Sequence, residues 1–158
     1  MTKGSFINIP RVFFHYHVRG DSGNPVYFCH GNSLSAGTYL PFLENLADRG
    51  LKMYATDLRG HGYSTREKPH PVSDWDIFIK DLEQLVRAVT HPPVIGMGHS
   101  IGGYFIYAAA ALYPDLFSKI ILRDPIIFPP ALVVMAALVR KVGLAGRLPL
   151  PRKARAKK

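Results

Sequence analysis

The chain has 158 residues, 47% hydrophobic and 20% charged, with a net charge of +9, a composition that suits a single globular domain with a real core. From position 140 onward there are eight basic residues and no acidic ones, against twelve basic and eleven acidic before it, so the basicity belongs to a tail and argues against a nucleic-acid-binding body. The single cysteine, Cys29, excludes an internal disulfide. Residues 1–10 lack the apolar segment of a signal peptide. The most apolar stretch, residues 131–139, is about half the ~20 residues a membrane span needs, so a cytoplasmic chain without stable membrane insertion is expected.

Two strands are expected first, at residues 6–9 and 12–18, followed by a turn cluster at residues 19–25. His15 and His17 share one face of the second strand; with no third ligand nearby they read as a solvent-facing pair, not a metal site. Residues 26–29 form the continuous apolar run of a strand covered on both faces, with Cys29 as core filler. A helix is expected over residues 38–49, where Tyr39, Phe42, Leu43, Leu46 and Ala47 recur at helical spacing and Gly50 suits the carboxyl-terminal cap. A strand at 51–56 follows. Ser73, with Asp76 three residues on, reads as the capping box of a helix burying Trp75, Phe78, Leu82, Leu85, Val86 and Val89.

The run Val94-Ile95-Gly96-Met97 ends in Gly98-His99-Ser100-Ile101-Gly102-Gly103 and continues as a helix rich in small residues to Tyr113. This is strand, sharp turn and helix with a serine at the apex. Small neighbours let strand and helix approach, and the helix amino terminus favours negative charge beside the hydroxyl. A further strand at 119–122 runs into Arg123-Asp124-Pro125. Strands alternating with helices argue for an α/β fold with a mostly parallel sheet and helices on both faces. Beyond Pro129-Pro130, residues 131–142 read as a helix outside that alternation.

Three stretches together carry a resemblance: Val26-Tyr27-Phe28-Cys29-His30-Gly31-Asn32, the loop Asp57-Leu58-Arg59-Gly60-His61-Gly62-Tyr63-Ser64 after its strand, and Gly98-His99-Ser100-Ile101-Gly102-Gly103. In that order they resemble the α/β-hydrolase fold over residues 6–135. The resemblance implies a serine nucleophile at Ser100, an oxyanion hole from the backbone N–H groups of Asn32 and Ile101, and substrate contacts at His30, Gly31 and His99. The Asn32 side chain has the alternative of facing substrate. No metal or cofactor is implied.

The base is the difficulty. In this fold the triad runs Ser, then Asp or Glu, then His, whereas the histidines here, at 15, 17, 30, 61, 70, 91 and 99, all precede Ser100. His30 and His61 read as loop-orienting residues. Asp124 is a candidate acid, or else a strand-end aspartate orienting the following loop, and Asp57 is expected to brace its loop with Arg59. The implied organisation is an incomplete core at 1–128, the start of a cap helix at 129–145 and a basic tail at 146–158, truncated after about the sixth strand. The expected function is a serine hydrolase acting on a small-molecule ester-like acyl substrate, inactive as this fragment. The alternatives are a non-catalytic binding protein that keeps the fold, and a basic module in residues 140–158. Haloalkane dehalogenases and epoxide hydrolases are disfavoured because their nucleophile is an aspartate.

Overall fold

The computed structural model describes residues 4–9, 12–64 and 75–127. Within them six strands form one sheet: β1 (Ser5–Ile9), β2 (Val12–Arg19), β3 (Asn24–Cys29), β4 (Leu51–Thr56), β5 (Val94–His99) and β6 (Phe117–Arg123). Their spatial order is β1-β2-β4-β3-β5-β6. β1 pairs with β2 and β2 with β4 antiparallel, whereas β4, β3, β5 and β6 run parallel. Parallel neighbours need crossovers, and these are helices: α1 (Leu40–Ala47) between β3 and β4, α2 (Asp76–Val89) between β4 and β5, and α3 (Ile101–Leu112) between β5 and β6. The mostly parallel α/β sheet expected from the alternation of elements is therefore found, and each of the six expected strands is present.

β3 lies inside the sheet, and its side chains divide by parity. Val26 and Phe28 pack with Met53, Ala55 and Leu43 on the α1 side, while Tyr27 and Cys29 pack with Phe14, Leu82, Leu85, Phe105 and Ile106 under α2 and α3. This two-sided burial is why residues 26–29 read as an unbroken apolar run. Burial also pushes the Cys29 thiol pKa up, leaving it an inert core group. At the far side of the described sheet β6 is an edge strand, with Ile120 and Ile121 exposed.

Several expectations are corrected. The helix expected over 38–49 divides into a 3-10 turn, Ala36–Tyr39, and α1; Pro41 suits the first turn of α1 because its missing N–H has no partner there. Gly50 does close that helix, at φ 84°, with its N–H donated to the Ala47 carbonyl. The buried stripe of α2 is Ile79, Leu82, Leu85 and Val86, together with Asp81. Trp75 stands before the helix and is 42% exposed. Ser73 lies outside the described residues, as do the boundary at 128, the cap helix and the basic tail. His15 and His17 do not face solvent: they are 4% and 6% exposed. The antiparallel register sets His15 beside the end of β4, where Asp57 Oδ2 accepts its Nδ1–H at 2.9 Å. No helix among the described residues is long and apolar enough to cross a membrane.

Because Ile106 is fully buried between α3 and the sheet, Ile106→Ala should cost about 2–5 kcal/mol in urea unfolding. Phe42→Ala, on the exposed side of α1, should cost under about 1 kcal/mol.

Candidate active site

The turn from β5 to α3 places Ser100 at φ 54°, ψ −120°, a strained conformation costing about 1–3 kcal/mol that the surroundings must hold. Three backbone bonds hold it. The Ser100 N–H donates to the Arg123 carbonyl at 3.0 Å, and its own carbonyl accepts from Tyr104 and Ile126 at 3.3 and 3.2 Å. The flanking glycines are required by space. A Cβ on Gly98 would lie 2.5 Å from the Gly102 carbonyl oxygen, and one on Gly102 would lie 2.3 Å from the carbonyl oxygen of Cys29. The first turn of α3 thus rests directly on the backbone at the end of β3.

The loop after β3 carries Asn32 and is fixed on both sides by residues that follow β4. His30, wholly buried, donates Nδ1–H to the Gly31 carbonyl at 2.8 Å and accepts the Leu58 N–H on Nε2 at 2.9 Å. Both ring nitrogens are therefore used, and burial pushes its pKa down to about 4. At the other side of the loop, Asp57 Oδ1 accepts the Ala36 N–H at 2.7 Å. The same carboxylate accepts from His15 and from the Tyr63 N–H at 2.9 Å. Ser64 Oγ, which accepts the His15 N–H at 3.0 Å, donates to the Asp57 carbonyl at 2.7 Å. Asp57 does brace its loop, but the fork of Arg59 goes to Asp81 instead, with two bonds of 2.7 Å.

Gly31 lies against His99: a Cβ there would meet His99 Nδ1 at 2.9 Å. His99 turns toward Tyr39, whose hydroxyl is 2.7 Å from Nδ1 and accepts the Gly31 N–H at 3.4 Å. Asp124 follows β6 at φ 45°; its side chain is 80% exposed, with Arg123 Nε 3.8 Å away. Among the described residues no histidine is hydrogen-bonded to the Ser100 hydroxyl: each ring bond goes to another partner. His70 lies outside those residues. His17 Nδ1 is buried without a partner, and burial, with His15 close by, holds its pKa below the ordinary value.

A cavity of about 240 Å³ adjoins both Asn32 and Ile101. Trp75, Phe78 and Phe105 form one wall, with the Phe78 and Phe105 rings stacked 5.1 Å apart. Leu58, Ile101, Ile126, Asn32 and His61 complete its described lining. The His61 Nδ1 lies 3.0 Å from the Arg59 carbonyl, which only accepts, so Nδ1–H is the donor of that bond. Asn32 Oδ1 lies 3.4 Å from the other ring nitrogen, Nε2.

Of the residues singled out from the sequence, Asn32 and Ile101 meet at this cavity, and Ser100 directly precedes Ile101. Gly31, His30 and His99 pack behind the same loop, and Asp124, between Arg123 and Ile126, which bond to the Ser100 backbone, has its side chain exposed. Sequence reasoning missed Asp81, although a carboxylate on the apolar stripe of α2 was a signal that a buried cation would meet it. It missed the His15–Asp57 pair, 42 positions apart, for which no local signal exists.

Comparisons with known proteins agree with this architecture. A family model described as serine aminopeptidase, S33, matches residues 21–155. A monoacylglycerol lipase of Mycolicibacterium smegmatis is 33% identical over 153 residues, covering 89% of this chain and 54% of that protein. A 2-(acetamidomethylene)succinate hydrolase of Mesorhizobium japonicum is 32% identical over 135 residues, covering 84% and 47%. A monoglyceride lipase of Rattus norvegicus is 37% identical over 113 residues, covering 67% and 37%. The chain thus spans about half the length, or less, of these curated relatives. Among solved structures, an epoxide hydrolase from Vigna radiata superposes with a TM-score of 0.74 at 18% identity, covering 85% of this chain and 46% of that one. The thioesterase domain from the curacin biosynthetic pathway gives 0.73 at 18%, covering 94% and 56%. At such identity the likeness is one of fold.

Two outcomes follow from this packing. Gly102→Ala should lower stability by about 1–3 kcal/mol or more in urea unfolding, since the clash is with backbone that cannot turn aside. His30 is held neutral down to about pH 4, whereas the unfolded ring takes a proton near 6.5. Its contribution is therefore complete above pH 6.5 and is lost as pH falls toward 4, by on the order of 3 kcal/mol. Urea midpoints measured across that window should fall steeply in the native chain and less so in His30→Gln, where only the smaller contribution of His17 remains.

Proposed function

The chain belongs to the serine aminopeptidase S33 family of α/β-hydrolase-fold proteins, and from that premise we propose that it is a serine hydrolase acting on an ester-like acyl substrate, with Ser100 as nucleophile. The observation that carries this reading is the strained backbone of Ser100 at the start of α3, beside a cavity walled by Asn32 and Ile101. In this reading Ser100 Oγ attacks the acyl carbonyl carbon, its proton passes to a base, and the carbonyl oxygen becomes an oxyanion. The N–H groups of Asn32 and Ile101 donate to that oxyanion, and the amino terminus of α3 adds favourable potential. The acyl-enzyme is then released to water by the reverse sequence. An ester accords with the lipases among the relatives.

His30 is assigned to holding the Asn32 loop and not to substrate or proton transfer, because both of its nitrogens are engaged and it is buried. His99 is assigned with Gly31 to the same support. Asp124 is not assigned as the acid: its carboxylate is exposed beside Arg123. The base is proposed to come from outside the described residues, in keeping with a chain that covers 54% of its lipase relative. The absence of a bonded histidine at Ser100 among those residues also favours a second reading, a non-catalytic binding protein that keeps the fold.

A fluorophosphonate probe separates the two. Labelling at Ser100 with the proposed base present, abolished in Ser100→Ala, is expected for the hydrolase; no labelling with that base present supports the binding protein. Turnover of a p-nitrophenyl ester by these residues alone should be negligible, because without a base only binding and the oxyanion donors remain, a residue of about 10³–10⁴ over water in a triad enzyme. Robust turnover lost in both Ser100→Ala and His30→Ala would make His30 the base.

A further inference from the structure

We infer that His15 is a positioning residue for the reaction proposed above: its ring fixes the Asp57 carboxylate, and through it the loop that presents the Asn32 N–H to the oxyanion. The chemistry it serves rests on that earlier reading; the hold on the loop rests on the bonds alone. The pairing of β2 with β4 ends at Tyr16 opposite Thr56, so His15 stands beside Asp57. Three of its atoms reach the segment after β4. The His15 carbonyl accepts the Asp57 N–H at 2.8 Å, its own N–H donates to Ser64 Oγ at 3.0 Å, and its Nδ1–H donates to Asp57 Oδ2 at 2.9 Å. The ring has no room to turn. It lies 5.0 Å from the Phe6 ring, 4.6 Å from that of His17 and 5.1 Å from that of Tyr63, and a Cβ on Gly4 would lie 2.1 Å from its Nε2.

Asp57 needs a donor of this kind. Its carboxylate also accepts the Ala36 N–H on Oδ1 and the Tyr63 N–H on Oδ2, and both of those amides belong to segments outside the sheet. The terminal torsion of an aspartate is soft, with a broad and roughly two-fold preference, so two such donors leave the carboxylate free to follow the loops it holds. His15 is fixed in the sheet, where β1 pairs with it at Phe6, and its bond sets the plane of the carboxylate against that frame. Oδ1 is then aimed at Ala36, four residues after Asn32. An oxyanion donor must hold its place to within about 0.5 Å. Removing such a donor outright costs roughly 10²–10³ in rate; loosening it through Asp57 should cost less, about tenfold.

Two variants of the full chain separate positioning from bulk. His15→Asn sets an NH2 where Nδ1 stands, whereas His15→Gln sets it where Nε2 stands. Amide hydrogen exchange reads the loop without any turnover. In His15→Gln the Ala36 amide should exchange about tenfold faster, with the Asp57 amide, bonded to the His15 backbone, unchanged; His15→Asn should restore the protection of Ala36. Where His15→Gln does not melt cooperatively, His15→Leu, which has no donor, takes its place in the same measurements. Ala36 protection equal in both variants, or Ala36 and Asp57 exposed together, overturns the inference, the second because the strand itself has then opened. Fluorophosphonate labelling of Ser100, with the proposed base present, reads the chemistry. Its maximal rate should fall about tenfold in His15→Gln at an unchanged half-saturating concentration, and His15→Asn should recover it. An unaltered rate, or an equal fall in both variants, overturns His15 as a positioning residue and leaves the reaction standing. No labelling of the native chain with that base present overturns the reaction, while Ala36 protection lost in His15→Gln and regained in His15→Asn still supports the hold on the loop.

Discussion

The backbone of α3 touches the backbone of β3 at Gly102, with no side chain between them. A Cβ at Gly102 would sit 2.3 Å from one carbonyl oxygen and 2.5 Å from the next, so this contact exists only for glycine. It fixes the distance between the β5 turn and the end of β3, and hence between Ser100 and the loop that carries Asn32. The strain in Ser100 is sustained because the end of β6 accepts and donates backbone bonds on either side of it. Central strand, turn and neighbouring strand are thereby locked at one edge of the sheet, where parallel strands present their carboxyl ends.

The end of β4 supplies the second half of that edge. Three consecutive residues reach in different directions: Asp57 to His15, Ala36 and Tyr63, the Leu58 N–H to His30, and Arg59 to Asp81 on α2. Buried polar groups are tolerable only when paired, and here the pairing itself sets geometry. The loop bearing Asn32 is held at His30 before it and at Ala36 after it, both by the strand next door. Acid acts on this arrangement through His30, whose two hydrogen bonds require a neutral ring, and through the partnerless nitrogen of His17.

Around Ser100 the surroundings divide by polarity. Behind the Asn32 loop lie Gly31, Tyr39 and His99, joined by hydrogen bonds. In front lies a cavity whose described lining is apolar except for Asn32 and His61, which stand 3.4 Å apart. The acyl reaction proposed for Ser100 would place its oxygen toward the Asn32 loop and the start of the helix behind Ser100.

The order of strands and helices, the glycine-flanked serine and the two-sided burial of residues 26–29 were legible in the sequence, because each follows from spacing within a few residues. Local steric rules act over a turn or a strand, and they are written in neighbouring letters. The placement of Trp75, the division of the helix after Asn32 and the burial of His15 and His17 were not legible, because each depends on which distant segment arrives beside it. His15 alternates along its strand as a solvent-facing residue would; only the antiparallel register of β2 with β4 brings Asp57 to it across 42 positions. Likewise the resemblance singled out Asn32 and Ile101 as expected oxyanion donors, but the cavity they both line needed α2, α3 and the loop after β4 to converge. What the sequence by itself determined was the kind of turn the chain makes at Ser100, since backbone sterics are local. What only the tertiary structure decided was which side chains are covered, paired and neutral around it, since burial and hydrogen-bond partners belong to the packed whole.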